Sequence, residues 1–246
     1  MLLLVTSCGS GSTSAGIGGG ATGRLTVLAA ASLRDAFEEI GDRFERAHPG
    51  SRVSFGFAAS SAVVAQVRDG APADVVASAD AGLLKDLVSE GLVGVPRSFA
   101  RNHLAILVGA GNPQQVRALA DLARPGLAVV LCAEQVPCGS LAGRVLAGAG
   151  VAVRPRSYEA DVEAVVSRVV LGDADAGLVY ITDVPATGDS AEGVPIPIPP
   201  TQDLSTEYAL ATVVGRPRAA LAAAFVDFVL GPEAQGVLAT AGFASP

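Results

Sequence analysis

A buried strand that runs straight into a helix start is the feature that most constrains this chain, because it recurs. Leu25-Thr26-Val27-Leu28 is a short apolar run of strand length, and Leu33, Ala36, Phe37, Ile40, Phe44 and Ala47 follow at helical spacing. Between them stands Ser32, a good N-cap by residue type, with Asp35 placed to favour the first turn through the helix dipole. The first amides of such a helix lack partners within it and point outward, so they can hold an anion without a charged side chain.

The unit returns along the chain. Arg52 to Phe57 alternates as a strand does, and Ala58-Ala59-Ser60-Ser61 then opens a helix that stops at Gly70. Ala73 to Ala79 reads as a third strand, with Asp80 as cap of a helix ending at Gly91. Strands are expected at His103 to Val108, Leu127 to Cys132, Gly177 to Ile181 and Tyr208 to Val214. Helices are expected after Val136-Pro137, from Val162 to Val169, from Arg218 to Leu230 and again from Pro232, while Pro-rich Ser190 to Asp203 reads as irregular. Such alternation predicts an α/β fold of mainly parallel sheets flanked by helices, with ligands at the carboxyl ends of the strands.

A length of 246 residues suits one large domain or two lobes of roughly 100 residues each. The net charge of -7, with no cluster of Lys and Arg, argues against nucleic acid, which is normally met by a basic face. Past residue 8 no run approaches the roughly 18 apolar residues of a membrane span. An enzyme fits poorly. Ser32 lacks a Gly-x-Ser-x-Gly elbow, His48 and His103 have no nearby acid partner in sequence, and no His/Cys/Asp/Glu grouping has metal-ligand spacing. Gly9 to Gly20 is glycine-rich but follows no strand, so it does not read as a phosphate loop.

Val5-Thr6-Ser7-Cys8 resembles the lipobox of bacterial lipoproteins, and a Gly/Ser-rich tether follows it. Residues 1–23 are therefore expected to be a truncated lipoprotein signal and flexible linker, with Cys8 as the lipid anchor. That would put the folded part at the outer face of the cytoplasmic membrane, where disulfides are permitted. For Cys132 and Cys138 the sequence leaves two readings open, a bridge or two unpaired small apolar side chains.

Several blocks together carry a family resemblance. They are Leu28-Ala29-Ala30-Ala31-Ser32-Leu33, Phe57-Ala58-Ala59-Ser60-Ser61, Gly70-Ala71-Pro72-Ala73-Asp74-Val75 with Ser78-Ala79-Asp80, Val136-Pro137-Cys138-Gly139, Ala160-Asp161-Val162, Gly177-Leu178-Val179-Tyr180, and Gly231-Pro232-Glu233-Ala234 with Gly242-Phe243. In order and spacing this set, from Leu25 to Phe243, resembles the molybdate-binding proteins of bacterial ABC transporters. The resemblance implies a two-lobed periplasmic-binding-protein fold of type II, with two crossover strands as hinge. Residues 24–102 plus 215–246 would form lobe I and residues 103–214 lobe II, the crossings falling near Leu104 and Leu210.

Position by position, the resemblance implies that Ser32 and Ser60 bind the ligand through hydroxyl and amide, Cys138 and Val162 through backbone amides, and Tyr180 through its hydroxyl. A doubly charged oxyanion suits such a set of short neutral donors. Selection would then rest on the size and direction of a fixed cage, separating molybdate and tungstate from smaller sulfate. Two positions depart from the family pattern, Cys138 where alanine is common and Ala59 where serine is common, and Asp161 beside Val162 reads either as a helix cap or as a partner for a ligand oxygen that carries a proton. The expectation is a monomeric binding protein that delivers molybdate to an ABC permease, with molybdenum present only as the oxyanion and no cofactor. The alternatives weighed are another oxyanion such as sulfate or phosphate, a sensor subunit, and a secreted serine hydrolase.

Overall fold

The computed structural model describes residues 22–197 and 204–246. The anchor expected at Cys8 and the linker through residue 21 lie outside the described residues. In chain order the elements are β1 (Gly23–Ala30), α1 (Arg34–Ala47), β2 (Ser51–Ala58), α2 (Ser60–Arg68), β3 (Val75–Ser78), α3 (Ala81–Ser89), β4 (Arg97–Gly109) and β5 (Val129–Cys132). They continue with α4 (Pro137–Gly148), β6 (Ser157–Glu159), α5 (Val162–Val170), β7 (Ala176–Tyr180), β8 (Ala191–Pro195), β9 (Ser205–Thr212), α6 (Ala219–Leu230) and α7 (Pro232–Thr240).

Two sheets form, and β4 belongs to both. In the first, β1 lies between β2 and β3 and runs parallel to each. Strand β9 closes this sheet, antiparallel to β3 and to residues 97–103 of β4. Beyond His103, β4 leaves that sheet and pairs antiparallel with β7 and β8, while β5 pairs parallel with β6 and β7. The parallel pairs stand where each strand is joined to the next by a helix, and β4 and β9 add antiparallel pairs, so both sheets are mixed.

Two expectations need correction. The boundary at residue 214 places β9 in the second lobe, whereas β9 pairs only in the first sheet and its Tyr208 and Leu210 pack into the first core. The return crossing therefore precedes Ser205. A run such as Tyr208 to Val214 looks the same in either sheet, because β-strand patterning reports burial and not partner. The second correction is β8, within the stretch read as irregular. Its pairing with the buried residues Ala105 to Val108 of β4 supplies the backbone order that its own Gly and Pro do not.

The cores differ in material. All eight phenylalanines pack in or against the first, where Phe44 and Phe225 meet edge to face with centroids 5.2 Å apart. The core around β5 and β7 is built from Val, Leu, Ala and Ile, with Tyr180 as its buried aromatic residue. Beneath the first sheet, Asp74 is fully buried rather than a simple turn residue. It accepts a hydrogen bond from the Thr26 amide at 2.8 Å and lies 3.8 Å from both Arg216 and Arg218. It thus ties β1 and β3 to the segment entering α6. Asp74→Ala leaves those partners uncompensated and is expected to destabilise the protein by about 2–4 kcal/mol, somewhat below a fully buried pair because the arginines are part-exposed. Urea unfolding measures this; a loss under about 0.5 kcal/mol would contradict the role.

Candidate functional site

Six strand ends converge on one cavity. From the first sheet come the residues after β1, β2 and β3, represented by Ser32, Ser60 and Ala79. From the second come those after β5, β6 and β7, represented by Cys138, Val162 and Tyr180. All five residues expected to bind ligand line this cavity, whose volume is about 20 Å³. A single water needs roughly 10–15 Å³, so the space suits an ion rather than a sugar or peptide. No Lys or Arg lines it, and Asp161 is the one acidic residue that does.

Helix starts supply donors. In α2 the first intrahelical bond runs from the Val63 amide to the Ala59 carbonyl, so the amides of Ser60, Ser61 and Ala62 precede the ladder. In α4 the Ser140 amide bonds to the Val136 carbonyl, and since Pro137 has no N–H, Cys138 is the first donor of that helix. Asp161 caps α5 by accepting from the Ala164 amide at 2.9 Å, which commits that carboxylate oxygen and leaves the Val162 amide ahead of it. The Cys132–Cys138 bridge closes the loop before α4. Gly139 permits the tight approach there, since a Cβ would lie 2.0 Å from the Ala133 carbonyl oxygen.

Ser32 departs from its expected role. It lies inside a 3-10 turn, Ala31–Leu33, with Ala30 rather than Ser32 at the N-cap position, and its hydroxyl is 2.9 Å from that of Tyr208. Ser60 likewise follows the cap residue Ala59, and its Oγ accepts from the Ala79 amide at 2.9 Å. With its acceptor side used, the Ser60 hydroxyl proton is free to donate. Tyr208 and Asn102 were not singled out by sequence; period-two burial in β9 would have placed Tyr208 inward, but not against Ser32.

Tyr180 closes the cavity from β7. Its hydroxyl is buried with no partner at full hydrogen-bond distance, although the Tyr208 hydroxyl lies near enough to act on it, and its pKa stands well above the usual phenol value, chiefly from burial. It therefore remains a proton donor. A buried hydroxyl left unpaired costs about 1–3 kcal/mol, so this one is poised for an acceptor. Arg34 of α1 and Glu163 of α5 bridge the two sheets' helices beside the cavity, with contacts of 2.8 and 3.2 Å, and the guanidinium carbon lies 4.6 Å from the centre of the Phe57 ring. Among the described residues, no group of three or more His, Cys, Asp or Glu is placed to hold a metal ion.

Asp183 lies in an adjoining space shared with Ser32, Arg34, Asp35 and Glu163. Burial is the main cause that pushes its carboxyl up to about 8, aided by Glu163 and Asp35 and opposed by the Tyr180 amide that it accepts from at 2.8 Å. At neutral pH it is thus mostly uncharged and adds little repulsion toward an anion. The folded state then holds a proton that the unfolded chain has released between about pH 4 and pH 8, so stability falls as pH rises through that window. Asp183→Asn is expected to flatten that slope. Thermal unfolding across the window measures it, and an unchanged slope would contradict the assignment.

Chain comparisons agree with this geometry. Residues 25–244 match the family described as bacterial extracellular solute-binding protein. The chain is 39% identical over 245 residues to the molybdate-binding protein ModA of Mycobacterium tuberculosis strain H37Rv, covering 98% of this chain and 93% of that one. It is 30% identical over 232 residues to the Escherichia coli K12 molybdate-binding protein ModA, covering 90% and 89%. In structure it is similar to the periplasmic molybdate-binding protein of Azotobacter vinelandii, with a TM-score of 0.79 at 23% identity over 90% of this chain and 99% of that one. A strand-ended, two-sheet cavity and a match spanning nearly all the described residues together establish that the chain belongs to the bacterial extracellular solute-binding protein family.

Proposed function

We propose that this protein binds molybdate, and tungstate with it, outside the cytoplasmic membrane and delivers the ion to an ABC permease. The observation that carries the reading is the convergence of uncharged donors from both sheets, including the unpartnered Tyr180 hydroxyl, on an ion-sized cavity without a cation. A tetrahedral dianion has four acceptor oxygens and no proton to give. Ser32, Ser60, the Cys138 and Val162 amides and Tyr180 match it in kind. The 39% identity to a protein named for molybdate binding supports the same ion.

The protein acts by binding and release, as a monomer, with no cofactor. The hydroxyls of Ser32 and Ser60 bond to Tyr208 and to the Ala79 amide, and neither has the histidine that would activate it as a nucleophile. Lipid on Cys8 tethers it to the membrane. Residues 24–102 with the chain from Ser205 onward move as one lobe against the remainder, and β4, which pairs in both sheets, serves as hinge. Ligand that contacts both lobes shifts the population toward the closed form.

Titration calorimetry with four oxyanions tests the ligand. Molybdate and tungstate are expected to bind, with sulfate weaker by roughly ten- to two-hundredfold, the range that a modest size mismatch gives in a rigid site. Equal affinity for sulfate would contradict it. Tyr180→Phe separates binding from folding: molybdate affinity is expected to fall about tenfold or more, while the melting temperature of the ligand-free protein stays level or rises. Loss of ligand-free stability with unchanged affinity would make Tyr180 a core residue only.

A further inference from the structure

Behind Ser32 runs a chain of hydrogen bonds that reaches across to the second sheet. Asn102 is the fully buried residue of β4 just before the strand leaves the first sheet. Its Oδ1 accepts from the His103 amide at 2.9 Å, which fixes the orientation of the side-chain amide. Its Nδ2 therefore points its two protons elsewhere. One goes to Thr182 Oγ1 at 2.8 Å, beyond β7, and the other toward the Tyr208 hydroxyl at 3.5 Å, a long bond. Tyr208 is fully buried in β9, and its hydroxyl is 2.9 Å from Ser32 Oγ.

Proton directions follow from this order. With Asn102 donating to it, the Tyr208 oxygen has one acceptor site occupied, and Ser32 Oγ stands at hydrogen-bond distance for its own proton, with the Tyr180 hydroxyl as a further neighbour facing it. Ser32 then accepts, and its proton must leave in another direction. Ser32 lines the cavity, so that direction is open to a ligand oxygen. Ser60 is constrained in the same way by the Ala79 amide. A free serine hydroxyl rotates and serves as donor or acceptor; in these two, the fixed partner on one side favours donation toward the cavity.

We propose that Tyr208, oriented by Asn102 at the sheet crossing, is a positioning residue that biases Ser32 to donate its hydrogen bond to the bound oxyanion. The inference rests on the reading that Ser32 meets a ligand oxygen. It has a consequence for specificity. An anion that keeps a proton, such as arsenate at mildly alkaline pH, needs an acceptor for it; each serine oxygen already has one lone pair in use, which leaves Asp161 as the carboxylate lining the cavity. Removing the Tyr208 hydroxyl frees Ser32 to turn round and accept.

The test is a double-mutant cycle by calorimetry on the intact protein, using Tyr208→Phe, Ser32→Ala and the double variant, with molybdate and arsenate as probes. Tyr208→Phe keeps the buried ring and is expected to lower molybdate affinity about tenfold in the Ser32 background, the scale of one well-placed hydrogen bond. In the Ser32→Ala background the same change is expected to have no further effect. The preference for molybdate over arsenate should also narrow in Tyr208→Phe. Equal loss in both backgrounds, or unchanged affinity with unchanged preference, overturns the relay while leaving the oxyanion reading intact. Wild-type protein that binds no molybdate but binds sulfate or phosphate overturns the ligand assignment alone, and the cycle is then read with that ion. Binding of none of these ions overturns both.

Discussion

Donor protons without acceptors are the constraint around which this molecule is organised. Helix starts from α2, α4 and α5, with the 3-10 turn before α1, bring backbone amides to one small space, and the Tyr180 hydroxyl is buried there unpaired. A donor buried without an acceptor is unfavourable by about 1–3 kcal/mol, so the Tyr180 hydroxyl in particular favours entry of an acceptor. In the proposed complex, that deficit becomes affinity. The absence of Lys and Arg from the cavity lining matters for the same reason. A cation would attract any anion, whereas fixed neutral donors respond to where the oxygens lie.

The fold supplies the positions. Parallel pairs β1 with β2 and β3, and β5 with β6 and β7, put all six loop exits on the same side of their sheets. Strand β4 holds the sheets together by pairing in both. Outside the cavity, polar contacts also cross between the lobes, from Asn102 to Thr182, from Arg144 to the Ser205 carbonyl and from Arg34 to Glu163. The Arg34–Glu163 pair is 42% exposed on each side, and a pair so placed contributes at most about 1 kcal/mol. It can orient the lobes but cannot hold them closed against much. On the proposed reading, closure depends mainly on the ligand, as release to a permease requires.

Much of this was legible because it is local. The serine-containing strand-to-helix junctions at Ser32 and Ser60, the caps at Asp80 and Asp161, and Pro137 at a helix start are written in residue type and spacing, and the structure places them at the ends of strands as expected. What sequence did not reveal is long-range. Strand β9 carries the same apolar pattern whichever sheet it joins, and β8 is ordered by β4 rather than by its own residues. Ser32 reads as a cap, yet its hydroxyl turns to Tyr208, 176 positions away. The pairing of Cys132 with Cys138 stayed open because spacing alone does not set the separation of the two Cα atoms, which the structure puts at 5.8 Å.

On the proposed reading, one oxyanion sits among uncharged donors drawn from both sheets. Crystals grown with molybdate, with diffraction measured at the molybdenum absorption edge, test this directly. The expected result is a single anomalous peak inside the cavity, within hydrogen-bonding reach, through the ion's oxygens, of Ser32, Ser60, Cys138, Val162 and Tyr180. A peak on an arginine-bearing outer surface, with the cavity lacking one, would contradict it.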